Sequence, residues 1–187
     1  MNMMELLEAS PVIAAVKNEE GLSHALESEC QVVFLLFGSI CDIAHLVEKA
    51  KEKGKVVIVH VDLVAGLSSK EVAVDFIRKN TSADGIISTK APLVKRAREL
   101  GFFCIQRAFV VDSIALTTLR KQLDAFRPDA VEIMPGVMPR VLKIIRSYTT
   151  SMPLIAGGLL SDKKDVMAAF SAGADAVSTT REELWYV

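Results

Sequence analysis

No stretch of this 187-residue chain approaches the ~20 consecutive apolar residues that a bilayer-spanning helix needs. Its first residues, MNMMELLEAS, lack the basic segment and apolar core of a secretory leader, so no membrane partner and a cytoplasmic location are expected. Cysteine is scarce: Cys30, Cys41 and Cys104 are odd in number and widely separated, which argues against a disulfide framework. None stands at metal-ligand spacing from His24, His45 or His60, and neither a structural metal nor a cofactor is expected. Charge of one sign is also lacking. Lys and Arg total 22 against 23 Asp and Glu, so a nucleic-acid partner would need a local basic patch. No GxGxxG follows the first apolar run, which removes the usual dinucleotide fingerprint. No linker or low-complexity tract divides the chain, and one domain over 1–187 is expected.

What is present is a repeated alternation. Apolar, largely β-branched runs begin at Val12, Val32, Val56, Gly85, Phe103, Ala130, Leu154 and Ala176, with amphipathic segments between them. Near-continuous apolar strands alternating with helices indicate a parallel sheet covered by helices. Eight such units without an antiparallel break favour closure into a compact (β/α)8 TIM barrel over an open sheet. Residues 1–10 form an N-terminal extension, either a short helix over the lower end of the barrel or a frayed tail. Asp42, Ser68-Ser69, Asp112 and Ser161-Asp162 supply starts for the intervening helices, and Pro92 suits a first helical turn.

The organising stretch is Pro153 to Thr180, PLIAGGLLSDKKDVMAAFSAGADAVSTT, which reads as strand, glycine pair, helix and strand. The first strand ends at Gly157-Gly158 and the second at Ser178-Thr179-Thr180. Glycine lets backbone amides approach a phosphate closely, and hydroxyls add donors beside a helix start. Loops after strands seven and eight of a (β/α)8 barrel often build such a site. The glycine pair reads equally as a tight turn.

The other strand ends carry polar residues as well. His60 and Asp62 share one face of the third strand, where His60 reads as a satisfied core histidine and Asp62 as a loop cap or a ligand group. Glu132 lies within the apolar AVEIMP, where a carboxylate needs Lys90, Arg107 or a ligand hydroxyl as partner. Lys90 and Arg107 end the fourth and fifth strands and can balance a phosphate or form ion pairs at the rim. Gly136 either turns its loop or makes room for a ligand. Carboxylates for hydroxyls, cations, and a backbone cradle together fit a small polyol phosphate.

These residues carry a resemblance. HVDLVAG (60–66), DGIISTK (84–90), QRAFVVDS (106–113), VEIMPGVMP (131–139) and PLIAGGL (153–159), in this order, resemble the glycerol uptake operon antiterminator regulatory protein family over essentially the whole chain. The resemblance implies a small TIM barrel that senses glycerol 3-phosphate, binds leader mRNA of glycerol-utilisation genes and prevents termination. It implies glycerol hydroxyls near Asp62, Lys90, Arg107 and Glu132, with phosphate at Gly157-Gly158 and Ser178–Thr180, and no catalytic residues.

For RNA the densest basic rows are Lys49, Lys51, Lys53 and Lys55; Lys95, Arg96 and Arg98; and Arg140, Lys143 and Arg146. The last row recurs at three-residue intervals on one helix and suits a phosphate-tracking surface best. Trp185 and Tyr186 can stack on bases or on a second copy of the chain, so a homo-oligomer is compatible with the sequence. Two other readings are open. In a phosphosugar isomerase, epimerase or aldolase, Asp62 and Glu132 would shuttle a proton or Lys90 form a Schiff base. In an interaction scaffold the anion site would be accidental.

Overall fold

The computed structural model describes residues 2–186. Each apolar run becomes a strand that starts at the expected residue: β1 Val12–Val16, β2 Val32–Leu35, β3 Val56–His60, β4 Gly85–Ser88, β5 Phe103–Phe109, β6 Ala130–Met134, β7 Leu154–Gly157 and β8 Ala176–Thr179. All neighbours pair in parallel, and β8 pairs with β1 to close the barrel. The helices between them are α2 Glu19–Glu27, α3 Ile43–Glu52, α4 Val72–Asn80, α5 Ala91–Glu99, α6 Ser113–Ala125, α7 Pro139–Arg146 and α8 Lys163–Ser171.

Local chemistry sets most helix starts. Asp112 and Asp162 accept from the third residues beyond them, Ala115 and Asp165, and so satisfy amides that no helical carbonyl reaches. Pro92 occupies the first turn of α5. Asp42 stands before α3 but turns its carboxylate back onto Ser39. The helix expected from Ser68-Ser69 begins later, at Val72, because Ser68 spends its hydroxyl on the Lys70 amide in a preceding turn.

Alternation within each strand divides the core in two. Residues of one parity, such as Val57, Val59, Ile86 and Val131, pack outward against the helices. Residues of the other parity, including Ile13, Phe34, Ile58, Ile87, Ile105 and Ile155, fill the barrel interior. The extension forms helix α1, Met3–Ala9, closed by a reciprocal Asn2–Glu5 capping box; Met1 lies outside the described residues. Met3, Leu6 and Leu7 of α1 are buried in the interior cluster beside Val32 and Ala130, residues at strand starts. The helix therefore closes the lower end of the barrel, each buried side chain contributing about 1.5–3 kcal/mol. Trp185 is buried too, its indole N–H donating to the Thr179 carbonyl, so a side chain read as free to stack on bases or on a second copy is instead part of the fold.

Candidate functional site

At the opposite end, where the strands finish, the interior changes from hydrocarbon to polar groups. Arg107 on β5 and Glu132 on β6 are register partners. The Arg107 guanidinium donates to one Glu132 oxygen through Nε, and the Ser178 hydroxyl on β8 donates to the other. Glu132 is fully buried and Arg107 nearly so, which makes this a desolvated pair completed by a third donor.

Ser178 and Glu132 are two strands apart and meet because β7 presents Gly157 between them. A Cβ there would stand 2.6 Å from Glu132 Oε1 and 2.7 Å from Ser178 Oγ. Gly157 is thus a gap that lets the bond cross. Gly136, expected as a turn or a ligand contact, donates its amide to the Gly157 and Gly158 carbonyls, and a Cβ on it would meet the Gly157 nitrogen at 2.8 Å. It lets the β6 loop lie directly on the end of β7.

Above this layer opens a cavity of about 700 Å³. Its walls include Arg107, Gly158, Ser178, Thr179 and Thr180 from the expected set, joined by Lys17, Ser161 and Arg181. Gly158 adopts φ +74°, the left-handed region that suits glycine, and Leu159 follows at φ 60° with its side chain exposed. Donors from the ends of β7 and β8 therefore share one chamber with the cations Lys17, Arg107 and Arg181 and with the carboxylates of Glu182 and Glu183; the donors and cations together suit a small anion. Lys17, the first residue beyond β1, was missed as a site residue; alternation from Ile13 and Ala15 is the signal that turns it inward.

The remaining expected residues lie elsewhere. Asp62 Oδ1 accepts from the Ser88 hydroxyl at 2.8 Å, and Oδ2 accepts from the Thr89 amide at 2.8 Å and its hydroxyl at 3.0 Å. Burial pushes this carboxyl up, but the Thr89 amide and the two hydroxyls outweigh it and hold the group below the usual carboxylate range. Asp62 ties the end of β4 to the β3 loop. Lys90 Nζ stands 3.9 Å from Asp62 Oδ1, half exposed on a separate groove beside Ser69 and Pro92. Glu132, Gly136 and Gly157 sit beneath the chamber, and Glu132, fully buried, is not among its walls. Arg107, not Gln106, is the inward residue of its pair, while Gln106 donates to the Ser88 and Thr89 carbonyls.

The basic rows are likewise sorted by their partners. Lys51 pairs with Asp84, Lys53 with Glu27, and Lys55 is buried, donating to the Ser28 and Cys30 carbonyls. Arg96 and Arg98 pair with Asp75 and Asp129. Arg146 departs from its expected row: it binds the Gly173, Thr149 and Met152 carbonyls and the Asp175 carboxylate, fastening α7 to the lower end of β8. Arg140 and Lys143 stay exposed around a shallow depression with Ile144 and Ser147.

The family model described as glycerol-3-phosphate responsive antiterminator matches residues 12–185, the whole of the barrel. The chain belongs to that family. It is 48% identical over 185 residues to an Escherichia coli K12 protein, YgcP, itself described as uncharacterized; the match covers 99% of this chain and 96% of that one. Among solved structures it is similar to the glycerol uptake operon antiterminator regulatory protein of Listeria monocytogenes. That pair shares 32% identity at TM-score 0.89, covering 93% and 94% of the two chains. An antiterminator-related protein of Thermotoga maritima follows at 30% identity and TM-score 0.83, covering 94% and 98%. Aldolases and orotidine 5'-phosphate decarboxylases of 12–17% identity share the barrel fold alone.

Proposed function

We propose that this chain is a glycerol 3-phosphate sensor that binds leader mRNA of glycerol-utilisation genes and prevents termination. The observation that carries the ligand half is the chamber at the ends of β7 and β8. Gly158, Ser178, Thr179 and Thr180 supply backbone and hydroxyl donors there, with Lys17, Arg107 and Arg181 in the same walls to balance a dianion. A volume of about 700 Å³ falls within the roughly 300–1,000 Å³ of small-molecule sites. Family membership supports the regulatory half. For RNA, Arg140 and Lys143 on α7 are the members of the expected row whose charge faces solvent without an ion-pair partner among the described residues, and the backbone-tracking role is assigned to them.

Phosphosugar chemistry by the expected groups is disfavoured by their partners. The carboxylates that would shuttle a proton, Asp62 and Glu132, are each committed within the protein, and Lys90 lies on another groove. The test is a calorimetric titration with glycerol 3-phosphate and with inorganic phosphate, followed by leader-RNA binding with and without the polyol phosphate. The sensor binds glycerol 3-phosphate more tightly than phosphate, changes its RNA affinity on binding, and leaves the ligand unaltered. Deuterium entering the ligand's carbons from heavy water would make it an enzyme instead.

A further inference from the structure

Among the described residues, the buried side-chain polar atoms without a partner are Tyr148 OH and His60 Nδ1. Tyr148 lies at the foot of α7 beneath Arg120, away from the chamber. His60 is different. It ends β3 with 3% of its surface exposed, and its register partner on β4 is the interior residue Ile87. Alternation from Ile58 turns it into the barrel, one step past the Leu35–Val59 pair and so beside Leu36. Leu36 lines the same chamber as Ser178, Thr179 and Thr180. Asp62 Oδ2, the nearest acid, stands 4.0 Å from Nδ1, beyond hydrogen-bond reach and already occupied by Thr89. The histidine read from the sequence as a satisfied core residue therefore carries one nitrogen, Nδ1, with no partner among the described residues.

We propose that His60 receives the hydroxyl end of a small phosphorylated polyol whose phosphate lies at Gly158 and Ser178–Thr180. The inference rests on the ligand reading above and supplies the hydroxyl contact that Glu132, fully buried beneath the chamber, does not provide. Burial, and after it the Arg107 guanidinium, hold the imidazole's pKa down to about 4, so the ring is neutral in neutral solution. A neutral imidazole has one N–H donor and one bare nitrogen acceptor, and an alcohol has one donor and lone pairs to accept. A phosphate dianion offers only acceptors, so His60 is matched to the carbon-chain end of the ligand. A buried group left unpaired gains most when a ligand supplies its partner.

Calorimetric titrations of the wild type, His60→Leu and His60→Asn with glycerol 3-phosphate and with inorganic phosphate test this. His60→Leu is expected to weaken glycerol 3-phosphate about tenfold and leave phosphate unchanged. His60→Asn, whose amide falls near the Nδ1 position, recovers part of the loss. Equal losses for both ligands, or none, would mean that Nδ1 holds only a buried water and would overturn the inference. A wild type that binds the two ligands alike fails earlier and removes the sensor reading itself. Should His60→Leu not fold, the wild-type His60 ring nitrogens are followed by NMR. Resonances that move with glycerol 3-phosphate and not with phosphate support the contact; resonances unmoved by either overturn it.

Discussion

Replacing Glu132 by Gln keeps the shape of the side chain and removes its charge, leaving the Arg107 guanidinium buried without a counter-ion. Breaking one side of such a pair costs about 3–5 kcal/mol, because the remaining charge has lost its solvent and its partner together. Gln retains an acceptor for Ser178, so the lower figure applies. For a chain of this length a loss of about 3 kcal/mol lowers Tm by roughly 6–12 °C. The companion variant Arg107→Met/Glu132→Leu has no charge to strand and is expected to melt above either single substitution. Thermal denaturation followed by circular dichroism reads both effects. In binding, Glu132→Gln is expected to weaken glycerol 3-phosphate and inorganic phosphate by the same factor, about tenfold, because it acts by misplacing Arg107 and Ser178. A double variant whose losses are the sum of the singles would refute the coupled pair. Loss of glycerol 3-phosphate alone would refute the positioning role and return Glu132 to the ligand hydroxyls.

Leu7→Ala is expected to lower stability by about 2–5 kcal/mol in urea unfolding, since Leu7 is fully buried in the lower end of the barrel, and to leave ligand affinity unchanged at the other end. Stability is expected to fall as pH drops from 6.5 towards 4. In that window the unfolded chain takes up a proton at His60 that the folded barrel refuses, and the displacement from 6.5 to about 4 is worth about 3 kcal/mol. His60→Leu should flatten that slope, and an unchanged slope would assign acid sensitivity to other groups. Reversing Arg140 and Lys143 to Glu is expected to reduce the salt slope of RNA binding by about 1.4, roughly 0.7 for each single-strand phosphate that is no longer neutralised. Arg146→Gln should lower Tm without touching that slope.

The strands were legible because parallel barrel strands are buried on both faces and read as uninterrupted apolar runs, a signal that needs no long-range information. The position of the chamber was legible for a related reason. Closure of the barrel gathers the ends of consecutive strands, so Ser178–Thr180 and Gly158 were bound to face one mouth once strand order was known. Lys17 needed only the alternation that also turns Ile13 and Ala15 inward. The roles of Gly157 and Gly136 were not legible. Each makes room for a contact between other residues, Glu132 with Ser178 or the β6 loop with β7, and nothing in a local sequence window records which atoms cross a glycine.

Charge posed the same difficulty more sharply, because sequence spacing shows which residues share a face and not what meets them from the next element. Lys51, Lys53, Arg96, Arg98 and Arg146 sit in dense basic rows, yet each is answered by an acid from another part of the chain: Asp84, Glu27, Asp75, Asp129 and Asp175. In three of these acids the carboxylate also accepts a strand amide, that of Val57 for Asp84, Cys104 for Asp129 and Leu154 for Asp175. A lysine or arginine in the preceding helix that reaches such an acid locks helix to strand at the lower rim of the barrel. Much of the basic character of these helices is thereby spent in holding the barrel's repeating units together. Among the described residues the cations of these rows that no acid answers, the buried Lys55 apart, are Lys49, Lys95, Arg140 and Lys143, and of these only Arg140 and Lys143 stand together on one helix, α7, where they can follow a polyanion's backbone.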